Sequence, residues 1–363
     1  MTPDSIIQRA ELMRESSRYR DALSLYTKAL RLYKMRGNSE GMLNTLLSMG
    51  DMYRMLGDFP RAKDSYSDAI TTAKQMGDRV TRADALIGLG LSVRALGDWQ
   101  RALRLFTEAK GIYRNTSDRD GLAFARWAEG GAYRIGGKLR NAMDSFTSSQ
   151  GIFKSMGADP DNKKGRAYCL CGLGGVSRVA GLFKRSMDYY TSANRAFSSL
   201  KDRFGVAYSH CGMGNAFRMK GNYKNALPHL KRAERVYLTI GDVVSYSYTL
   251  WSIGMVHLME GRLRWAEYYV AKASARFRKT KDIRGLIYCR LTLGQVQYLR
   301  GDRTGALREF AKALHASLKN NFGMELCHSR SLLDYMKKGK MTNHCYRAAG
   351  SRLRLSVIPF NLP

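Results

Sequence analysis

Six arginines recur at one register of the chain: Arg14, Arg54, Arg94, Arg134, Arg178 and Arg218, after which the register holds Leu258 and Tyr298. A guanidinium presents five donors in a planar fork and keeps its charge, so a row of them can grip carboxylates bidentately or track phosphates. A second row is aromatic, running Phe124, Tyr168, Tyr208, Tyr248 and Tyr288. Between the rows stand Trp127, Cys171, Cys211 and Trp251 at one register and Gly131, Gly175 and Asn215 at another. These registers follow helical spacing and share one stripe, whose floor has few side chains and leaves room for a partner's main chain. The candidate binding residues are Arg54, Arg94, Arg134, Arg178, Arg218, Asn215, Tyr168, Tyr208, Tyr248, Tyr288, Trp127 and Trp251.

Other chemistry finds little support. Gly172-Leu-Gly174-Gly175 lacks the lysine and hydroxyl of a phosphate-cradling loop. Cys169 and Cys171 are separated by one residue, which on a helix points them apart and is no redox spacing. Cys327-His328 and His344-Cys345 would converge on an ion only if the chain folded back, and adjacent ligands lack the usual zinc spacing. His210, His229, His257 and His315 lie scattered at unrelated repeat positions, without a recurrent acid or nucleophile. No catalytic residue, metal or cofactor is assigned, and the chain reads as a non-enzyme.

The elements that must carry these rows are repeats. Blocks beginning at residues 1, 41, 81, 121, 165, 205, 245 and 285 align at a forty-residue period, with four extra residues in the fourth block. The extra residues fall in 158–164, which reads as a loop between repeats. From the second block on, the tenth position is glycine (Gly50, Gly90, Gly130, Gly174, Gly214, Gly254, Gly294), and so is the seventeenth (Gly57 to Gly301). The first glycine lets two helices approach; the second makes the turn between them. After the turn come a small residue, a large one four on, and a small one three further, as in Ala62, Tyr66 and Ala69. Those spacings put all three on one helix face.

This small–large–small signature resembles the tetratricopeptide repeat over residues 1–338, and the forty-residue period is similar to Pins-type adaptors and bacterial MalT-like and Rap-like regulators. The resemblance implies an all-α fold, a right-handed superhelical solenoid of about eight antiparallel helix pairs; residues 325–338 read as a capping helix, and 339–363 depart from the pattern as a basic tail that is either extended or disordered. It also implies that the stripe lines a concave, peptide-binding groove. The family often holds a peptide backbone with an asparagine after the first glycine. Only Asn215 matches it here.

Plainer roles compete for both rows. Arginine is a good helix former and is favoured near a helix C-terminus, and the tyrosines can pack against the next repeat. With 61 Lys and Arg against 30 Asp and Glu, net charge +31, any partner is expected to be anionic. The expected function is a scaffold or adaptor binding an acidic or extended polypeptide. Single-stranded RNA, with rings stacking bases and arginines tracking phosphates, is the rival. Lys337, Lys338 and Lys340 could meet anionic lipid, but no amphipathic anchor accompanies them. Residues 1–12 carry no long apolar run, and six unpaired-looking cysteines suit a reducing compartment. The expectation is therefore a cytoplasmic protein without a transmembrane segment.

Overall fold

The computed structural model describes residues 2–353 and 357–363; Arg354, Leu355 and Ser356 of the basic, extended-reading tail lie outside the described residues. The described residues form helices and no strand. The helices alternate as first and second members of pairs: α1 (Pro3–Glu15) with α2 (Tyr19–Met35), α3 (Ser39–Met55) with α4 (Phe59–Met76), α5 (Arg79–Ala95) with α6 (Trp99–Asn115), and α7 (Arg119–Ile135) with α8 (Leu139–Ser155). They continue as α9 (Pro160–Val179) with α10 (Phe183–Ser199), α11 (Arg203–Met219) with α12 (Tyr223–Ile240), α13 (Val243–Met259) with α14 (Leu263–Thr280), and α15 (Ile283–Leu299) with α16 (Arg303–Lys319). A single helix α17 (Gly323–Lys338) and a short α18 (His344–Ala348) follow. The chain divides into two compact units, Met1–Glu129 with Ile240–Val243, and Gly130–Thr239 with Val244–Pro363.

Both units use the same packing device. In the first, the Tyr66 ring lies between Gly50 and Gly88, where added Cβ atoms would stand 2.7 Å and 2.2 Å from it. In the second, Tyr190 lies between Gly174 and Gly212, at 2.9 Å and 2.1 Å. Tyr66, Phe146 and Tyr190 are thus each clasped by the tenth-position glycine of their own repeat and the eighth-position glycine of the next. Alanines one turn away, Ala62 and Ala69 or Ala193, are fully buried and bring the backbones close enough for the ring to fill the space. A second clasp sets Tyr33 against Gly41 and Phe197 against Gly205.

Turns and caps follow from local chemistry. The seventeenth-position glycines take left-handed backbone, with φ of 72° at Gly57 and 80° at Gly181, ending one helix and releasing the next. Aspartates then cap the helices: Asp58 accepts from the Arg61 N–H, and Asp202 from the Gly205 N–H at 2.9 Å. The four-residue insertion is not a loop. Asp159 accepts from the Asp161 and Asn162 N–H groups, Pro160 fills the first turn, and 160–164 lengthen α9 at its N-terminus.

The cysteines also depart from expectation. Cys327 and Cys345 form a disulfide, with Cα atoms 5.4 Å apart, joining α17 to α18. Cys169, Cys171, Cys211 and Cys289 remain thiols, buried or nearly so. The chain does fold back here, but the two cysteines bond to each other, and no group of three or more His, Cys, Asp or Glu among the described residues is placed to hold a metal. No helix among the described residues is long and apolar enough to cross a membrane.

Candidate ligand-binding groove

The first helices of the second unit converge on a cavity of ≈180 Å³. Arg134 from α7, Arg178 from α9, Tyr208, Cys211 and Asn215 from α11, Tyr248 and Trp251 from α13, and Arg284 and Tyr288 from α15 line it. Seven of the candidate residues are brought together here: Arg134, Arg178, Tyr208, Asn215, Tyr248, Trp251 and Tyr288. Arg178 and Arg218 stand in the last turns of α9 and α11, where a cation also suits the helix dipole.

Part of the groove is occupied by the chain itself. Ser351 Oγ donates to Val179 O at 2.7 Å, and Arg352 N to Ala180 O at 2.9 Å. Farther along, Phe360 N donates to Gln295 Oε1 at 2.5 Å, and Asn361 Nδ2 to Arg218 O at 2.8 Å. Arg218 donates to Leu362 O at 2.8 Å and to Asn361 Oδ1. Ile358, Phe360 and Leu362 are buried. The tail is stapled upstream by the disulfide and by Tyr346, whose hydroxyl pairs with His328 Nδ1 at 2.6 Å.

Arg218 is fully buried with neutral partners only: Asn215 Oδ1 accepts from its Nε at 3.2 Å and from its Nη2 at 3.0 Å, and Trp251 lies 5.5 Å from its guanidinium carbon. Burial and the nearby charge of Arg178 pull it down to about 9 from its ordinary value. Arg284 is the opposite case. Its Nε meets Glu325 Oε1 at 2.7 Å; burial opposes both charges, but each holds the other ionised, so Glu325 lies below and Arg284 above its ordinary value.

Several candidates are engaged within the fold, some of them away from the cavity. Tyr168 Oη donates to Asp202 Oδ2 at 2.9 Å and its ring packs 4.7 Å from Phe197, so it braces the cap of α11. Tyr248 does the same at Asp282, at 3.2 Å, while still reaching the cavity. Trp251 Nε1 donates to Thr292 Oγ1. Asn215 spends its amide on Arg218 and Cys211 O. In the first unit, Arg54 pairs with Asp51 at 3.0 Å, Arg14 pairs with Glu11 at 2.5 Å, Arg94 lies 3.5 Å from Ala128 O, and Trp127 stacks on half-exposed Phe124 at 5.3 Å.

Three wall or floor contributions escape the two-row reading. Arg284 belongs to neither row, Tyr190 was assigned only to the core, and Gln295 occupies the asparagine register without being an asparagine. The signal for the arginine pairing was present: Glu11 and Asp51 stand three residues before Arg14 and Arg54, whereas Gly131, Gly175 and Asn215 precede Arg134, Arg178 and Arg218.

Family models described as tetratricopeptide repeat match residues 4–75 and 85–120. No curated protein sequence matches the chain. Among solved structures, a Rap protein complexed with Competence and Sporulation Factor is 13% identical with a TM-score of 0.60, covering 93% of this chain and 98% of that one. The Rap conjugation gene regulator of plasmid pLS20, in complex with the Phr* peptide, is 12% identical with a TM-score of 0.64, over 88% and 96%. Aspartyl phosphate phosphatase F from Bacillus subtilis is 14% identical with a TM-score of 0.51, over 98% and 97%. The repeat signature, the helix pairs and these matches agree: residues 4–75 and 85–120 match tetratricopeptide-repeat models, and the fold of the chain is similar to that of Rap proteins.

Proposed function

We propose that this chain is a non-catalytic regulatory adaptor whose groove, walled by α9, α11, α13 and α15, takes an extended acidic segment of another protein. The observation that carries the reading is the groove's own occupant. Residues 360–362 lie beside the cavity with a main-chain N–H donated to Gln295 and a main-chain carbonyl that accepts from Arg218, which is how an extended peptide is held. The tail bears no Asp or Glu after Asp334, so it leaves the cationic positions beside it unanswered. An acidic segment would complete them. The similar Rap conjugation gene regulator of plasmid pLS20 is in complex with the Phr* peptide, and that ligand class is carried here as part of the proposal.

The test is competition at 0.15 M salt between a fluorescent 12-residue peptide with Asp at every third position and a single-stranded oligonucleotide of equal charge. The spacing lets acids at ~3.3 Å per residue meet helices ~8–10 Å apart. Saturable peptide binding that the oligonucleotide does not displace supports the adaptor. An oligonucleotide that displaces the peptide makes the groove a phosphate track. The same reading puts the protein in the cytoplasm, which fractionation checks.

A further inference from the structure

The groove beside the docked tail holds more positive charge than its surroundings answer. Arg284 is paired with Glu325, and Arg218 has Asn215, Asn361 and Leu362 O. Arg178 meets no carboxylate and no hydrogen-bond acceptor among the described residues, and its Nε and Nη1 are buried. Arg134 Nε is likewise buried without an acceptor. No Asp or Glu lines the ≈180 Å³ cavity that both arginines border. Charged donors shut away from water without acceptors, with like charges for neighbours, are unfavourable until an anion joins them. The depressed Arg218 reports the same imbalance, because Arg178 contributes to it.

The shape of the cavity limits what the anion is. A void of about 150 Å³ holds one benzene-sized molecule, so the ≈180 Å³ here suits an acid on a stem of a few carbons. Tyr190, Tyr208 and Tyr248 supply aromatic wall for such a stem. Gly175 leaves the space open: a Cβ there would stand 3.3 Å from Tyr190 Oη and 3.5 Å from Arg134 Nη1.

We propose that this cavity is a carboxylate-binding site in which Arg134 and Arg178 receive the anion and the tyrosine rings enclose its short carbon stem. The carboxylate is either the side chain of an acidic residue in a bound segment or a free small acid. Only the first source rests on the adaptor reading.

Calorimetric titration of the full chain with glutarate, and separately with N-acetyl-aspartate methylamide, tests it. The expected result is one-site binding of at least one probe, weakened at least tenfold by Arg178→Gln and weakened by Gly175→Ala with no change of charge, but unaltered by Lys184→Gln on the exposed face of α10. The anion-free Arg178→Gln protein should melt no lower than the parent, since the lost charge had no partner. Glutarate binding names the free acid as a source; binding of the aspartate derivative alone names a side chain. Failure of both probes, undiminished binding by Arg178→Gln, or equal displacement by chloride would overturn the site. That failure is distinct from failure of the adaptor, which the longer peptide reads.

Discussion

At the scale of the residue, the rings clasped by glycines make the sharpest structural prediction. Gly212→Ala would drive a methyl group into the Tyr190 ring, 2.1 Å away, and is expected to destabilise the protein by about 1–3 kcal/mol; thermal melting against Gly111→Ala, which meets nothing within 4 Å, measures it. A second prediction concerns two buried histidines. Burial pushes His210 and His328 down to about 4; Arg232 and His229 add to the effect at His210, while Glu325 opposes it at His328. An unfolded histidine takes its proton near 6.5, so between that pH and about 4 the unfolded chain binds more protons, and stability falls as pH drops through the window. Denaturant unfolding at pH 7.5 and 5.0 should show the loss, about 2 kcal/mol at most per histidine, and His210→Gln with His328→Gln should reduce it. The sequence exposed the tenth-position glycines and the large residues they face. It hid the eighth-position partners, because Gly88, Gly172 and Gly212 recur in only some repeats and the clasp spans two of them.

At the scale of the element, forty-residue periodicity was enough to read helix pairs, since turn glycines and capping aspartates repeat with it. The insertion misled because polar composition suggested a loop, although Asp159-Pro160 is a helix start that could have been recognised. The disulfide was harder to find. Its cysteines are eighteen residues apart on elements whose contact depends on the chain folding back, which no periodicity encodes. Closing a loop of this size limits the unfolded chain by about 3 kcal/mol. Cys345→Ser, or the reduced protein, should therefore melt lower than the oxidised parent by several degrees, and amide exchange should rise over α18. Unchanged melting and exchange would mean that the staple contributes nothing to docking of the tail.

At the scale of the whole molecule, charge and the tail act on the same groove. The excess of 61 basic over 30 acidic residues makes association with an acidic peptide steep in salt, weakening between 0.05 M and 0.5 M. Because Ile358, Phe360 and Leu362 are buried and residues 360–362 bond to Gln295 and Arg218, ending the chain at residue 356 should tighten binding of the aspartate-spaced peptide; unchanged affinity would separate the tail from the ligand's path. That Arg134 and Arg178 share a stripe with Tyr208, Tyr248 and Tyr288 was legible from register alone, but not which arginines remained unanswered, because Arg284 finds Glu325 only through the packing of α15 on α17. The most direct test of the central claim is the affinity of that peptide for Arg134→Glu with Arg178→Glu, set against Lys184→Glu with Lys224→Glu on exposed second-helix positions. Loss of at least tenfold in the groove pair, with little change in the exposed pair, is the predicted result. Equal losses in both would mean that the protein attracts acids by overall charge and has no binding groove.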